Sequence, residues 1–385
     1  MSSSPVAPRS VPARASDARP SLTVLSGFWP EAVREVAGTL LARDPALLVV
    51  RHEIHDDHVR RTVRSGAGVL EDVRVELVHT CVTCTLREDV LPTVARLAAA
   101  HPDRDLVVHL PELAEPEMLA DAWPESVRVD SYVTVVDGEH VLDALGTDED
   151  LAALGLAGDD ERTLAELVVR QIEYADTLVV HGDADGRVRA LLHRLAPWAA
   201  RAGAGELRRH THRHRPETPA VLARGLEGFA LGVHEPAPEN DVVSAVFRAR
   251  RPFHPGRLHD ALDEINESVL RSRGHFWLAG QPETVIAWEF AGGSLGLRSL
   301  GRWLTAVPDA EWDLASDQRR LAAAMDWDPY YGDRHHHLVF IGLELDAAAL
   351  HRRLTGCLLT DAELAEGEAG WRRLPDPMAG AFGTP

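Results

Sequence analysis

The sequence predicts an α/β protein with a mostly parallel sheet flanked by helices, followed by a smaller α+β domain. Three observations carry this. Short β-branched runs alternate with longer helical patterns through the first half, as in layered βαβ units. A polar, Pro-rich passage, HEPAPEND (234–241), breaks the alternation. After it, runs such as GHFWLAG and TVIAWEFAGGSLGLRS read as strands with hairpin-type connections. The expected organisation is a disordered tail over 1–20, an α/β domain over 21–233, a linker over 234–241 and a second domain over 242–385.

Taken in order, the opening MSSSPVAPRSVPARASDARP is rich in Ser, Pro, Ala and Arg and holds no continuous apolar stretch of signal-peptide type, so it reads as disordered. SLTVLSG is an apolar run closed by glycine, a strand; PEAVREVAGTLLA has helical spacing; ALLVVRHEI is a second strand. Further strands are expected at RVELVH, RDLVVHL, SYVTVVD and DTLVVHG, with helices near REDVLPTVARLAAA, GEHVLDALG and RTLAELVVRQIEYA. No repeat at solenoid spacing is present.

Composition narrows the function classes. A formal charge of −20 disfavours nucleic acid, whose phosphates need a basic face. All 40 basic residues are arginine, which excludes chemistry that demands a lysine amine. No segment approaches the roughly 18 consecutive apolar residues of a membrane span. Three cysteines fit a reducing compartment, so a cytoplasmic location is expected. Twenty histidines include three clusters, at 52–58, 210–214 and 335–337.

The stretch HTCVTCTLRED (79–89) holds Cys81 and Cys84 as C-x-x-C ahead of a helix. Paired thiolates suit Zn²⁺ or Cu(I), but a closed tetrahedral site needs more ligands. His79, two residues before Cys81, is one candidate; His52, Glu53 and His55 in RHEIHDDH are others. The competing readings are two buried small hydrophobes and a redox pair with a thiol activated at a helix start.

Two stretches resemble a known family. CVTCTLREDVLPTVARL is similar to the cysteine motif and following helix of the CobW-like metallochaperone GTPases (the CobW/HypB/UreG type). FRARRPFHPGRL, VLRSRGHFWLAG, GGSLGLRSLGRW, GDRHHHLVFIGLELD and GCLLTDAEL resemble the CobW C-terminal domain. The resemblance implies a P-loop-NTPase-like first domain, zinc as cargo, GTP with Mg²⁺, and a metal-receiving client protein or a homologous protomer as partner. It also implies a C-x-C-C metal motif, whose third thiolate falls at Thr83. The family's segment near the cysteines corresponds to His52, Glu53 and His55.

Its phosphate loop, G-x-x-x-x-G-K-[ST], corresponds to GFWPEAVRE from Gly27, placing Ala32, Val33 and Arg34 at the second glycine, lysine and hydroxyl positions. Pro30 removes a backbone donor and Glu31 adds a carboxylate where phosphate charge would sit. The Mg²⁺-assisting strand end corresponds to LVVHLPELAEP, with His109 and Pro111, and the guanine-reading N-K-x-D to VVHGDAD, with His181 and Gly182. These departures lead to the expectation that no residue acts as a GTPase catalyst. The leading reading is zinc handling or delivery with GTP chemistry lost; the alternatives are a pseudo-GTPase adaptor and a GTPase with an unorthodox loop.

For the remaining clusters the expectations are a solvated strand entrance at His335–His337, a solvent-exposed loop at His210–His214 and a core role for Cys357. The tryptophans of HFWLAG, IAWEF and GRW are read as packing anchors, and Arg248, Arg250 and Arg251 beside Phe253 and His254 as an edge for a partner.

Overall fold

The computed structural model describes residues 18–156, 160–233 and 237–380. Most of the expected tail, and the first three residues of the expected linker, lie outside these. At the end of the tail, Pro20 is buried and its carbonyl accepts from the Arg128 N–H at 2.9 Å, so structure begins before Ser21.

The first half runs β1 (Ser21–Ser26), α1 (Pro30–Arg43), β2 (Leu48–Ile54), β3 (Val59–Ser65), β4 (Gly68–Val75), α2 (Val82–Thr85), α3 (Leu91–Ala100), β5 (Leu106–His109), β6 (Arg128–Asp137), α4 (Val141–Gly146), α5 (Leu164–Glu173), β7 (Thr177–His181), α6 (Gly186–Leu195) and β8 (Ala200–Gly203). Its sheet has the order β4-β3-β2-β5-β1-β6-β7-β8, antiparallel only where β3 joins its neighbours. Every residue of β1 is buried, because helices cover both faces of the parallel region. Leu25, Val33, Val36 and Leu40 fill one face; Leu22, Val24, Val90, Val94 and Leu97 fill the other.

The strand expected at RVELVH is a misreading. β4 ends at Val75, which pairs with Val59 at the start of β3, so only Arg74 and Val75 of that stretch are in the sheet. The β3–β4 hairpin and α6 were not foreseen.

The second half comprises β9 (Val242–Ala249), α7 (Pro255–Asp260), α8 (Leu262–Asn266), β10 (Val269–Phe276), β11 (Thr284–Ala291), β12 (Ser294–Arg302), α9 (Asp317–Met325), β13 (His336–Leu343) and α10 (Ala347–Cys357). Its sheet, β12-β11-β10-β13-β9, is antiparallel throughout. Trp277, Trp288 and Trp303 are fully buried, and Cys357 closes the apolar face of α10. Of the residues read as a partner edge, Phe253 is fully buried, Arg250 donates to the Gly332 and Arg334 carbonyls and Arg251 to the Leu359 carbonyl, while Arg248 is exposed. These groups hold the fold together.

Charge, unusually, joins the halves. Glu173 at the end of α5 is fully buried and accepts from Arg271 on β10 at 2.8 and 2.9 Å, with Arg273 paired to the same carboxylate. Arg271 also reaches Glu289 at 3.2 Å, Glu289 pairs with Arg170 at 3.0 Å, and Arg170 with Glu115 at 3.2 Å. The two guanidiniums outweigh the burial of Glu173 and hold its carboxyl down at about 2.

Candidate metal cleft

In open sheets of this kind, ligand sites form beyond the carboxyl ends of the strands. The loop leaving β1 is three residues long, Gly27 to Trp29, before α1 starts at Pro30. Gly27 has φ +152°, and a Cβ there would lie 2.4 Å from the Val135 carbonyl oxygen, so the chain needs glycine for this close approach. Phe28 and Trp29 meet edge to face at 5.6 Å. Ala32 and Val33 are buried in the core-facing side of α1, while Arg34 is turned outward and pairs with Glu31.

At the end of β5, His109 is buried and held neutral, its pKa pushed down to about 3 first by burial and then by the charges of Arg51 and Arg34. His181 bonds Glu35 at 2.9 Å, and Asp185 caps α6 by accepting from the Val188 N–H at 2.8 Å.

The cysteine motif opens a continuous helical run. Cys81 is its N-cap: the sulfur accepts from the Cys84 N–H at 3.3 Å. A single wide turn, Leu86–Val90, with the Leu91 N–H reaching the Leu86 carbonyl, precedes Pro92 and α3. Cys81 is exposed and Cys84 partly so, which overturns the reading of two buried small hydrophobes. The two thiols differ. The Cys84 amide draws the Cys81 thiol below its usual range, whereas Cys84, hydrogen-bonded to that sulfur, is pushed up.

The wide turn aims Asp89 inward, and this decides the role of His52. His52 is buried with its Nε2 2.8 Å from Asp89 Oδ2, and Arg61 pairs with the other oxygen. Glu53 pairs with Arg51 at 2.8 Å. Two of the candidate ligands are thus engaged inside the fold.

His55, at the turn after β2, is exposed and stacks on His58 with ring centroids 4.6 Å apart. The Thr80 hydroxyl donates to the Asp56 carbonyl at 3.0 Å, tying this turn to the segment that carries His79 and Cys81. His55, His79 and Cys81 line one open cleft of about 1280 Å³, whose far wall includes Glu115 and Arg162. Arg162 pairs with Glu115 and Asp160, and the cleft lining mixes carboxylates such as Glu112 and Glu166 with apolar side chains. Val78, Met118 and Leu156 stand exposed at its rim.

Residues 43–185 match the CobW/HypB/UreG nucleotide-binding domain, and residues 242–358 match the cobalamin synthesis protein CobW C-terminal domain. A protein of Mycobacterium tuberculosis named as a zinc chaperone is 34% identical over 373 residues, covering 89% of each chain. The chain belongs to the CobW family. A zinc-regulated GTPase metalloprotein activator of Dictyostelium discoideum is 28% identical, over 86% of this CobW-family chain and 74% of its own. The crystal structure of a Zn(II)-bound GTPase of E. coli, YjiA, aligns over 89% of the chain at 14% identity, with a TM-score of 0.38.

Of the other histidine clusters, that at 210–214 lies on a solvent-exposed loop as expected, with His210 and His212 exposed, whereas that at 335–337 differs from expectation. The backbone at 211–214 folds around buried Asp130: the Thr211 and His212 N–H groups donate to its carboxylate at 3.2 and 2.8 Å, and those of Arg213 and His214 to its carbonyl at 3.0 Å. The loop is therefore anchored, with His214 largely covered. At 335–337 the strand alternates faces. His336 is buried, its Nε2–H donating to the Arg251 carbonyl at 2.8 Å, so the entrance is not solvated.

Proposed function

We propose that this CobW-family chain binds zinc through Cys81 and Cys84, with His79 or His55 completing the coordination, and hands it to a client protein without GTP chemistry. One observation carries the reading: Cys81, at the head of the C-x-x-C turn, and the exposed His55 and His79 line a single cleft, and the Thr80–Asp56 contact ties their segments together. Relatives named as a zinc chaperone and a zinc-regulated activator support the choice of ion.

The donors suit it. Among the described residues no group of three or more His, Cys, Asp or Glu side chains already stands at metal-holding spacing. The ion therefore draws a mobile imidazole toward the sulfurs, and a site assembled around its cargo releases it more readily than a closed tetrahedron. The Cys84 amide draws the Cys81 thiol below its usual range, which favours it as the first sulfur ligand, and binding through both sulfurs releases protons. The exposed Val78, Met118 and Leu156 offer a surface for the receiving protein beside the sulfurs. The loss of GTP chemistry rests on the burial of Val33 and Ala32 in α1, which leaves an apolar side chain at the lysine position of the loop, and on Glu31, whose carboxylate already pairs with Arg34.

Titration with Co²⁺ and Zn²⁺ tests this. The wild type is expected to show thiolate-to-Co²⁺ charge transfer, lost in Cys81→Ser/Cys84→Ser; equal zinc affinity in both proteins overturns the site. Fluorescent GTP with Mg²⁺ is expected not to bind, and a dissociation constant of micromolar or tighter shows that a phosphate site persists.

A further inference from the structure

We infer that the chain binds a small organic anion, a carboxylate or phosphate carried on an apolar body, in a cavity at the amino ends of β7 and β8 where the two halves meet. The cavity has a volume of about 480 Å³ and shares no lining residue with the cysteine cleft, which lies beyond the carboxyl ends of the strands. Asp176 and Trp198 enter it just before β7 and β8, and Phe229 reaches it from the chain that leads into the second half. Pockets that take small molecules form preferentially at such junctions.

Three arginines, Arg213, Arg215 and Arg224, line the cavity against a single carboxylate, Asp176. That carboxylate is already engaged: it accepts from the Tyr132 N–H at 2.8 Å and lies 3.4 Å from His214 Nδ1. In a chain of formal charge −20, this lining reverses the sign locally. Arg213 and Arg215 are exposed, and among the described residues neither side chain is paired with a carboxylate.

Arg224 is the inner part of the site. It is only 4% exposed, and its Nη1 donates to the Glu173 carbonyl at 3.0 Å while its Nε reaches the Pro219 carbonyl at 3.5 Å. Nη2 makes no hydrogen bond among the described residues. Opposite charge reaches this guanidinium only from a distance, from Glu173, whose carboxylate is held by Arg271 and Arg273, and from Glu117, which accepts from the Val221 N–H at 2.7 Å. A cation shielded from water and held only by carbonyls favours an arriving oxyanion more strongly than a solvated one does.

The Arg224 guanidinium lies over the Trp198 ring, 4.5 Å from its centroid. Trp198 lines the cavity too, and its buried Nε1–H has no acceptor. An indole nitrogen only donates, so the group that answers it is an acceptor and not a cation. Tyr174 and Phe229 add aromatic wall for the body of the ligand. Surplus donors beside aromatic surface thus specify an oxyanion with an apolar body, and the volume admits a small molecule rather than a polyanion. Because Arg224 also holds the carbonyl of Glu173, an occupant bears directly on the contact between the halves.

The test titrates phenyl phosphate, benzoate and the neutral benzyl alcohol into the full chain and follows the indole ¹H–¹⁵N NMR signals, with Trp198 assigned through Trp198→Phe. The Trp198 signal is expected to move saturably with phenyl phosphate or with benzoate, the tighter of the two naming the head group. Arg213→Gln/Arg215→Gln should weaken that affinity by about tenfold or more. This exposed pair is chosen because Arg224→Gln would also strip the Glu173 carbonyl of its donor and endanger the fold. No saturable movement with either anion overturns the inference; so does an equal response to benzyl alcohol, or an affinity that the double variant leaves unchanged. None of these residues belongs to the cysteine turn, so the outcome stands apart from the zinc reading.

Discussion

Replacing Glu173 by glutamine removes the one carboxylate that Arg271 and Arg273 share, in a volume closed to water. Arg271 keeps Glu289 at 3.2 Å. Arg273 keeps the carbonyls of Leu231 and Leu195 and the face of Trp198 but no carboxylate, and burial already lowers its pKa to about 10. A carboxyl held near 2 against an ordinary 4.5 contributes about 3 kcal/mol at neutral pH. Breaking a buried pair from one side costs about 3–5 kcal/mol, in the same range. Since the folded pKa lies below the unfolded one, this stability is complete above pH about 4.5 and disappears as pH falls toward 2. Urea unfolding followed by tryptophan fluorescence and circular dichroism should show a loss of about 3–5 kcal/mol in Glu173→Gln, with transitions of the two halves separating. Removing the stranded cation as well, in Glu173→Gln/Arg273→Met, should recover part of it. A loss below about 1 kcal/mol in the single variant would refute the assignment of the pair as the inter-sheet lock.

Two further outcomes follow from buried polar groups. His109 and His336 are each held to about 3 by burial against an ordinary 6.5, so the unfolded chain binds protons first; stability is full above pH 6.5 and declines below it toward 3, and His109→Gln should flatten that slope by about one proton in pH-dependent urea melts. Asp130→Ala leaves the amides of Thr211 and His212 without their acceptor, and hydrogen exchange there should accelerate at least tenfold with a global cost of about 1–3 kcal/mol.

The parallel strands were legible because burial on both faces demands uninterrupted apolar runs: Leu22–Leu25 and Leu106–Val108 have no solvated side to encode. The β3–β4 hairpin was hidden by its arginines. Arg60 and Arg61 look like a solvated loop until Asp72 and Asp89 supply their counter-charges. Helix α6 hid for a similar reason, its apolar face broken by Arg and His and its start marked only by Asp185. Within the candidate site, Cys81, Cys84 and His79 are neighbours in sequence, so spacing was enough to single them out. The engagement of His52 depended on a wide helical turn that aims Asp89 at it, 37 residues away, which no local pattern reports.

The guanidinium relay from Arg162 through Glu115, Arg170, Glu289 and Arg271 to Glu173 makes α5 common property of both sheets. Dissecting the polypeptide at its Pro-rich passage would yield a C-terminal fragment with Arg271 and Arg273 stripped of their anion, and an N-terminal one with Glu173 bare. Neither piece is a true module: their autonomy ends at an electrostatic seam that only the intact chain closes.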